Sequence, residues 1–290
     1  MRLRTLPLSL AGVALGVCLA ASKFRVSPWT AVLVFLTTVC LQILSNLSNE
    51  LGDALNGTDT DERQGPQYAL GSGEMSVKDI KILIGIFVGL CIVSGLAMIQ
   101  VSFGDIFKTE SICLEVLGAA AIVGAMKYTL GKNPYGYRGL GDVFVFIFFG
   151  LVSVLGGYYV AARELPSLIM LLPASAIGCF SIGVLNVNNI RDMKTDAVNR
   201  VTVAIKLGIK GARIYQTILI VLGWTLLLTF CTAYNFALGH FMFVITLPLY
   251  VKHLHGTWTR SERALDPMLP LLVISTFILS ILTGAGFLIF

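Results

Sequence analysis

The chain has 290 residues, of which 56% are hydrophobic and only 13% are charged, and its formal net charge is +5. A soluble domain usually carries about 25% charged residues, so this composition excludes an ordinary soluble domain and indicates an integral protein of the lipid bilayer. We attribute the excess of Lys and Arg to membrane topology, and we expect no nucleic-acid partner.

Nine apolar stretches follow one another along the chain, and each approaches the roughly 20 residues that a transmembrane helix needs. Because they occupy nearly the whole chain, the sequence predicts an all-α bundle of nine transmembrane helices, forming a single domain over residues 1–290. The first stretch follows two Arg residues as a signal peptide would, but the eight further spans favour an uncleaved anchor. The predicted spans are 6–24, 29–48, 80–102, 111–130, 142–162, 166–189, 213–233, 235–251 and 267–290.

The loops between these spans differ in charge and in length. With the N-terminus in the cytoplasm, the cytoplasmic loops hold 17 of the 21 Lys and Arg residues. Cytoplasmic loops are enriched in these residues, so the pattern predicts a cytoplasmic N-terminus and an external C-terminus. The two long loops, 49–79 and 190–212, lie on the cytoplasmic side, which indicates that this face carries the function.

The first long loop is strongly acidic where span 2 ends. The segment NLSNELGDALNGTDTDER, residues 46–63, contains five carboxylates. Asn46, Asn49 and Asp53 follow an i, i+3, i+7 spacing, which places them on one face of a helix.

The second long loop has a similar pattern where span 6 ends, in NVNNIRDMKTDAVNR. Asn188, Asp192 and Asp196 follow an i, i+4, i+8 spacing and share one face if the helix continues. Because four spans separate spans 2 and 6, both end on the same side of the membrane. The two acidic clusters are therefore predicted to face each other across the mouth of the bundle.

This arrangement predicts a site for a magnesium-bridged diphosphate. Carboxylates four residues apart on a helix repel each other, and ionisable groups near a membrane are costly and usually functional. Mg²⁺ takes oxygen ligands and is typically held by one or two carboxylates together with substrate phosphates. Nearby cations would complement the phosphate oxygens. These cations are Arg191, Arg200, Lys206, Lys132 and Arg138.

Simpler interpretations exist for several polar residues. Asp and Asn at helix ends often act as caps or as solvated loop residues, although two such clusters on one side argue against this. Asp142, at the start of span 5, is predicted either as an N-cap or as a site residue. His253 and His255 are two residues apart and do not share a helix face, so solvated loop residues are favoured over a metal pair.

Three segments carry a resemblance to a known family. NELGDALNGTD, YRGLGDVFVFIFFG and NNIRDMKTDAVNRVTVAIKLG resemble the UbiA superfamily of intramembrane prenyltransferases. The resemblance covers nearly the whole chain and is strongest to the 1,4-dihydroxy-2-naphthoate polyprenyltransferases of menaquinone synthesis. It implies a nine-helix fold and transfer of a polyprenyl chain from polyprenyl diphosphate to an aromatic ring, dependent on Mg²⁺ or on Mn²⁺ in its place.

The naphthoate branch further implies a reaction and a location. The ring carbon that is attacked bears the carboxylate, so CO₂ is lost with diphosphate and demethylmenaquinol is formed. The protein would lie in the bacterial cytoplasmic membrane, with its active site facing the cytoplasm. Within the superfamily, the acceptor could instead be 4-hydroxybenzoate, homogentisate or a haem.

The resemblance also assigns the acidic motifs. The first motif corresponds to Asn49, Glu50 and Asp53, with Glu50 where Asp is usual. The next Asp position of the superfamily is Gly57 here, and Asp59 follows two residues later, as in the naphthoate branch. The second motif maps onto Asn189, Arg191, Asp192 and Asp196.

Roles follow from this mapping. Asp53 and Asp59 would hold one metal ion, and Asp192 and Asp196 the other. Asp53, Asp192 and Asp196 would be the catalytic carboxylates. Asn49 and Asn189 would add neutral oxygen ligands, and the five cations named above would contact the diphosphate. The ring of Tyr128 would stabilise the allylic carbocation by cation–π attraction.

A cation-coupled transporter is the alternative from a different class. Transporters place ion-binding groups near the bilayer midplane on broken helices. The carboxylates of this chain lie at the ends of spans and on one side, which favours the enzyme.

Overall fold

The computed structural model describes residues 3–56, 69–70, 72–234 and 236–290. No strand occurs in this described part of the chain, where one isolated parallel bridge joins Arg138 and Val201. The helices are α1 (Leu6–Ala21), α2 (Pro28–Leu55), α3 (Val77–Phe103), α4 (Thr109–Lys127), α5 (Gly141–Ala162), α6 (Leu171–Arg191), α7 (Met193–Asp196), α8 (Val203–Ala233), α9 (Leu247–Thr259) and α10 (Met268–Ile289).

Seven of the described helices are long and apolar enough to cross a membrane, namely α2 to α6, α8 and α10. Helix α1 is apolar but shorter, with 16 residues. The predicted eighth span, 235–251, is divided between a 3-10 helix, Leu238–Thr246, and the start of α9. The prediction of an all-helical membrane protein is confirmed, whereas the count of nine spans and the cytoplasmic N-terminus stay predictions.

Helix α2 extends beyond its predicted span because its polar C-terminal residues face the bundle interior. The prediction ended the span at 48, whereas the helix continues to Leu55. Asn46 and Asp53 are both buried, as a shared inward face requires. Gly52 lies against Thr129, since a Cβ on Gly52 would be only 2.5 Å from the Thr129 side chain. This contact fixes the end of α2 against the loop that follows α4.

The shared face of Asn188, Asp192 and Asp196 was conditional on span 6 continuing as one helix, and the structure does not meet this condition. Helix α6 ends at Arg191, and Asp192 is its C-terminal cap, with φ −94° and ψ 9°. The Arg191 guanidinium binds both the adjacent Asp192 and the distant Asp266, and these contacts stabilise a turn at this point. The polar residues of the second cluster are therefore split between α6, a turn and the single-turn helix α7.

Helices α5 and α6 approach each other closely. Helix α5 contains an 11-residue π-helix, Phe146–Gly156. A Cβ on Gly150 would lie 2.7 Å from the Cα of Gly178, so glycine is required for this contact. Small residues allow such close approach of helices in membranes. Helix α4 is packed much less tightly, and only Ser111 and Gly124 are buried along it.

Candidate active site

A cavity of about 700 Å³ lies between helices α1 to α6. Most of its wall is apolar, but one end is polar and lies where α2 and α6 finish. Residues from both predicted clusters line that end. They are Asn46, Asn49, Asp53, Asn188, Asn189 and Arg200.

Asp53, in the first cluster, is buried, with an exposed fraction of 2%. The hydroxyl of Tyr137 donates a hydrogen bond to its Oδ1 at 2.8 Å. Nη2 of Arg200 donates to the same oxygen at 3.2 Å. A carboxylate is therefore held at the polar end of the cavity by one hydroxyl and one guanidinium.

Arg200 joins the two acidic clusters. Its Nε lies 3.2 Å from Oδ1 of Asp196, while its other arm binds Asp53. Burial by itself would lower the pKa of the Arg200 guanidinium, but the Asp53 and Asp196 carboxylates outweigh it and raise that pKa above its ordinary value. The guanidinium carbon also lies 4.8 Å from the centre of the Tyr137 ring. The two acidic clusters therefore lie close together, as predicted, and the permanently charged Arg200 side chain links them.

Tyr137 and Arg200 are positioned by one backbone contact between distant segments. The N–H of Val201 donates to the carbonyl of Tyr137 at 2.9 Å, beside the Arg138–Val201 bridge. Gly139 follows with φ +80°, a conformation that favours glycine. The sequence prediction missed Tyr137, and the tyrosine-rich PYGY turn, which Arg138 separates from GLGD, was the local signal for it.

Arg191 and Asp192 form a separate buried pair. Nε and Nη2 of Arg191 donate to the two carboxylate oxygens of Asp192, at 2.9 and 2.6 Å. Nη1 donates to Asp266 at 2.7 Å, and Nη2 also reaches the Asn188 side chain at 2.9 Å. Asp266 in turn accepts from Arg4 at 2.7 Å. The Arg191 guanidinium is thus engaged by protein groups, and its predicted contact with diphosphate stays a prediction.

The remaining predicted cations lie at the surface near this end. Lys132, Arg138 and Lys206 are all exposed, and none is among the residues that line the described cavity. Lys206 approaches Gly139, where an added Cβ would lie 3.7 Å from its Nζ. These three side chains can attract an anion to the rim, but the structure does not bring them together with Asp53.

Two carboxylates that the sequence left open are settled by their contacts. Glu50 is buried and accepts a hydrogen bond from the backbone N–H of Leu70 at 3.0 Å, so it ties the first long loop to α2. Asp142 is not an N-cap, because that position is Leu140 and Asp142 accepts from the Tyr215 hydroxyl at 2.9 Å.

The histidines differ from each other. His253 is fully buried between the side chain of Gln216 and the carbonyl of Met268, at 2.9 Å from each. The interpretation as a solvated loop residue is therefore wrong for His253, because its ring lies in a polar chain inside the bundle. His255 is exposed, so the predicted absence of a shared face is confirmed.

An aromatic wall borders the cavity next to its polar end. Tyr128, the predicted carbocation-stabilising ring, lines the cavity and lies 5.3 Å from Tyr135, edge to face. Tyr135 stacks on Phe144 at 3.8 Å, and Phe144 is followed by Phe148 at 6.3 Å. The faces of such rings attract cations, so this wall suits a carbocation and the unsaturated chain attached to it.

The donor atoms at the polar end suit Mg²⁺ more than a transition metal. Carboxylates of Asp53 and Asp196 converge on Arg200, and the amide side chains of Asn49 and Asn189 line the same cavity. Hard cations prefer such oxygen ligands. In the described part of the chain no three His, Cys, Asp or Glu side chains already form a metal cluster. Asp59, predicted as a ligand, lies outside the described residues.

Comparison with known proteins completes this picture. The model of the UbiA prenyltransferase family matches residues 9–287. A 1,4-dihydroxy-2-naphthoate octaprenyltransferase from Haemophilus influenzae is 36% identical over 292 residues, which cover 99% of this chain and 94% of the relative.

Solved structures agree in fold. An apo UbiA homolog from Aeropyrum pernix K1 superimposes with a TM-score of 0.73 at 18% identity, over 99% of this chain and 98% of the homolog. A UbiA homolog from Archaeoglobus fulgidus bound to DMAPP and Mg²⁺ gives a TM-score of 0.61 at 15% identity, over 99% of both chains. The chain therefore belongs to the UbiA prenyltransferase family.

Proposed function

We propose that the protein transfers a polyprenyl chain from polyprenyl diphosphate to 1,4-dihydroxy-2-naphthoate, with release of diphosphate and CO₂, to give demethylmenaquinol. The observation that carries this proposal is the polar end of the cavity, where Arg200 forms ion pairs with both Asp53 and Asp196 beside an aromatic wall. The activity of the Haemophilus influenzae relative supports the choice of acceptor.

The diphosphate would bind at this polar end. Asp53, Asp196, Asn49 and Asn189 would hold Mg²⁺, which when bound supplies positive charge for the departing diphosphate. The Archaeoglobus fulgidus homolog, which was solved with DMAPP and Mg²⁺ bound, supports a divalent metal together with a prenyl diphosphate. Asp59 and Asp192 would complete the predicted ligand set. Mn²⁺ has similar oxygen preferences and is proposed as a substitute.

Groups of the chain itself would stabilise the leaving diphosphate. Arg200 carries a fixed positive charge at the polar end, and charge-assisted hydrogen bonds to phosphate oxygens are strong. Tyr137 fixes the Asp53 carboxylate through its hydroxyl and the Arg200 guanidinium through its ring. Preorganised charges of this kind stabilise a transition state without needing to reorganise during the reaction.

The apolar body of the cavity would protect the carbocation and accommodate the chain. Water is kept away by the mainly apolar walls, which prevents hydrolysis of the reactive intermediate. Leu96 and Val123 line the cavity yet are 37% and 56% exposed, so the cavity reaches the side of the bundle formed by α3 and α4. We infer that the polyprenyl tail leaves sideways into lipid there. The expected location is the bacterial cytoplasmic membrane, with the polar end toward the cytoplasm.

A panel of acceptors offered with one donor tests this function. The detergent-solubilised protein is given octaprenyl diphosphate, Mg²⁺ and either 1,4-dihydroxy-2-naphthoate or 4-hydroxybenzoate. We expect a prenylated, decarboxylated naphthalene product with the first acceptor and none in excess EDTA. Prenylation of 4-hydroxybenzoate without turnover of the naphthoate would reject the proposed acceptor, and full turnover in EDTA would reject the metal requirement.

A further inference from the structure

One wall of the cavity is polar far beyond the end where the acidic clusters meet. Helix α2 presents a stripe of polar side chains to the cavity, each three or four residues from the next. This spacing places them on one helix face. The stripe consists of Thr38, Gln42, Asn46, Asn49 and Asp53.

Gln42 is one member of this stripe whose side-chain hydrogen bonds are incomplete among the described residues. It lines the cavity and has an exposed fraction of only 6%. Its Nε2 donates to Oδ1 of Asn46 at 3.0 Å and to Oγ1 of Thr5 at 3.2 Å. Its Oε1 accepts no hydrogen bond from any residue that the structure describes. An amide oxygen on the wall of a cavity can accept a hydrogen bond from a donor group that binds there.

The position of Gln42 fits an acceptor ring more closely than the diphosphate. At a rise of about 1.5 Å per residue, Gln42 lies about 16 Å along α2 from Asp53, and Asn46 about 10 Å from it. The diphosphate end is thus separated from Gln42 by the space in which the allylic carbon and the aromatic ring must meet.

The two substrates also differ in the hydrogen-bonding groups that they can present to the α2 wall of the cavity. Beyond its diphosphate, a polyprenyl chain has no hydrogen-bonding group, and the rings of Tyr135, Phe144 and Phe148 give it an apolar surface. A dihydroxylated aromatic acid carries hydroxyl donors, which match a buried amide oxygen. The isoprenoid chain is therefore assigned to the aromatic wall and the acceptor to the α2 wall.

We propose that Gln42 forms part of the acceptor subsite and accepts a hydrogen bond at Oε1 from one ring hydroxyl of a dihydroxynaphthoate. Asn46 and Thr5 fix the orientation of its amide by accepting from Nε2. This inference rests on the proposed function, because it needs a hydroxylated aromatic acceptor. A site built to hydrogen-bond a substrate hydroxyl rejects analogues that lack it, so Gln42 would also determine specificity.

Gln42→Met tests the subsite, because Met keeps a similar length without the amide. We expect the KM for 1,4-dihydroxy-2-naphthoate to rise about tenfold or more, as the loss of one buried hydrogen bond implies. The KM for octaprenyl diphosphate should stay within about twofold of wild type, since its diphosphate binds elsewhere. Thr225→Val is the control, because the Thr225 hydroxyl donates to the carbonyl of Val221 at 2.9 Å and Thr225 does not line the described cavity. It should leave both KM values unchanged.

Two acceptor analogues, each lacking one ring hydroxyl, allow a test on the wild-type protein. This test does not depend on how well Gln42→Met folds. With the wild-type protein, 1-hydroxy-2-naphthoate and 4-hydroxy-2-naphthoate are measured as competitive inhibitors against the diol. We expect one of them to bind about tenfold more weakly than the diol binds, and Gln42→Met to abolish this difference. Equal binding of both analogues and the diol to wild type would overturn the proposal, as would a rise in donor KM alone in Gln42→Met. Wild-type protein that does not use the naphthoate at all would instead reject the proposed function.

Discussion

At the residue scale, the site depends on how a few charged groups share their partners. Oδ1 of Asp53 accepts hydrogen bonds from the Tyr137 hydroxyl and from the Arg200 guanidinium. These two contacts fix the orientation of the carboxylate. Asp192 differs, because both of its oxygens are bound by Arg191. Asp53 and Asp192, two of the three predicted catalytic carboxylates, therefore have different partners, and of the three only Asp53 lines the described cavity.

Tyr137→Phe isolates the contribution of one hydroxyl. The ring stays beside Arg200, while Asp53 loses the 2.8 Å hydrogen bond. Hydrogen bonds to charged groups contribute about 1.5–3 kcal/mol, so we expect kcat to fall by roughly one to two orders of magnitude. The measurement is the initial rate of prenyl transfer at saturating substrates.

Tyr215→Phe provides the matched control for this substitution. The Tyr215 hydroxyl also donates to a carboxylate, that of Asp142, at 2.9 Å, but neither residue lines the described cavity. We expect kcat to be retained in this variant. If both phenylalanine variants lose the same activity, or neither does, the positioning role of Tyr137 is wrong.

At the element scale, the length of α2 and the end of α6 decide where the polar residues meet. Hydropathy predicts α2 well in its apolar part, but not its last turns, because buried polar residues interrupt the apolar pattern without ending the helix. The end of α6 depends on the pairing of Arg191 with Asp266, which is 75 residues away in sequence. Sequence spacing alone cannot reveal such a partner.

The contact between α5 and α6 gives a prediction at this scale. In Gly150→Ala, the new Cβ would lie 2.7 Å from the Cα of Gly178 and 2.8 Å from the carbonyl oxygen of Ala174. Both are backbone atoms and cannot move aside cheaply. Overpacking of this kind costs about 1–3 kcal/mol, so we expect a lower midpoint of thermal unfolding in detergent.

A glycine that faces open space serves as the comparison. Gly85, in α3, has no atom within 4 Å of an added Cβ. Ala is the better helix former, so Gly85→Ala should keep or slightly raise the unfolding midpoint. An unfolding midpoint of Gly150→Ala as high as that of Gly85→Ala would show that α5 and α6 do not pack as described.

At the scale of the whole molecule, the sequence predicts the class of protein more reliably than the arrangement of its site. Long apolar runs dictate membrane helices wherever they occur, so the all-helical bundle is predicted correctly. The bridge between Arg138 and Val201 brings Tyr137 beside Arg200, although the two segments are far apart in sequence. Non-local contacts of this kind explain why Tyr137, Gln42 and Asp266 were not predicted.

The features of the cavity together suit one function. Its polar end, its aromatic wall and its opening at the side of the bundle suit a charged leaving group, a carbocation and a lipid-soluble chain in turn. The central claim is that Asp53 belongs to the metal and diphosphate site and is more than a structural partner of Arg200.

The initial rate of diphosphate release by Asp53→Asn tests this claim most directly. Asn keeps the size and can still accept from Tyr137, but it removes one negative charge from the site. Loss of one preorganised electrostatic group typically lowers the rate by about 10²–10³-fold, and we expect that loss at saturating Mg²⁺ and substrates. Asp105→Asn is the control, since Asp105 is exposed and its side chain only accepts from the backbone N–H of Phe107. A near-normal rate for Asp53→Asn, with unfolding behaviour like that of wild type, would contradict the account.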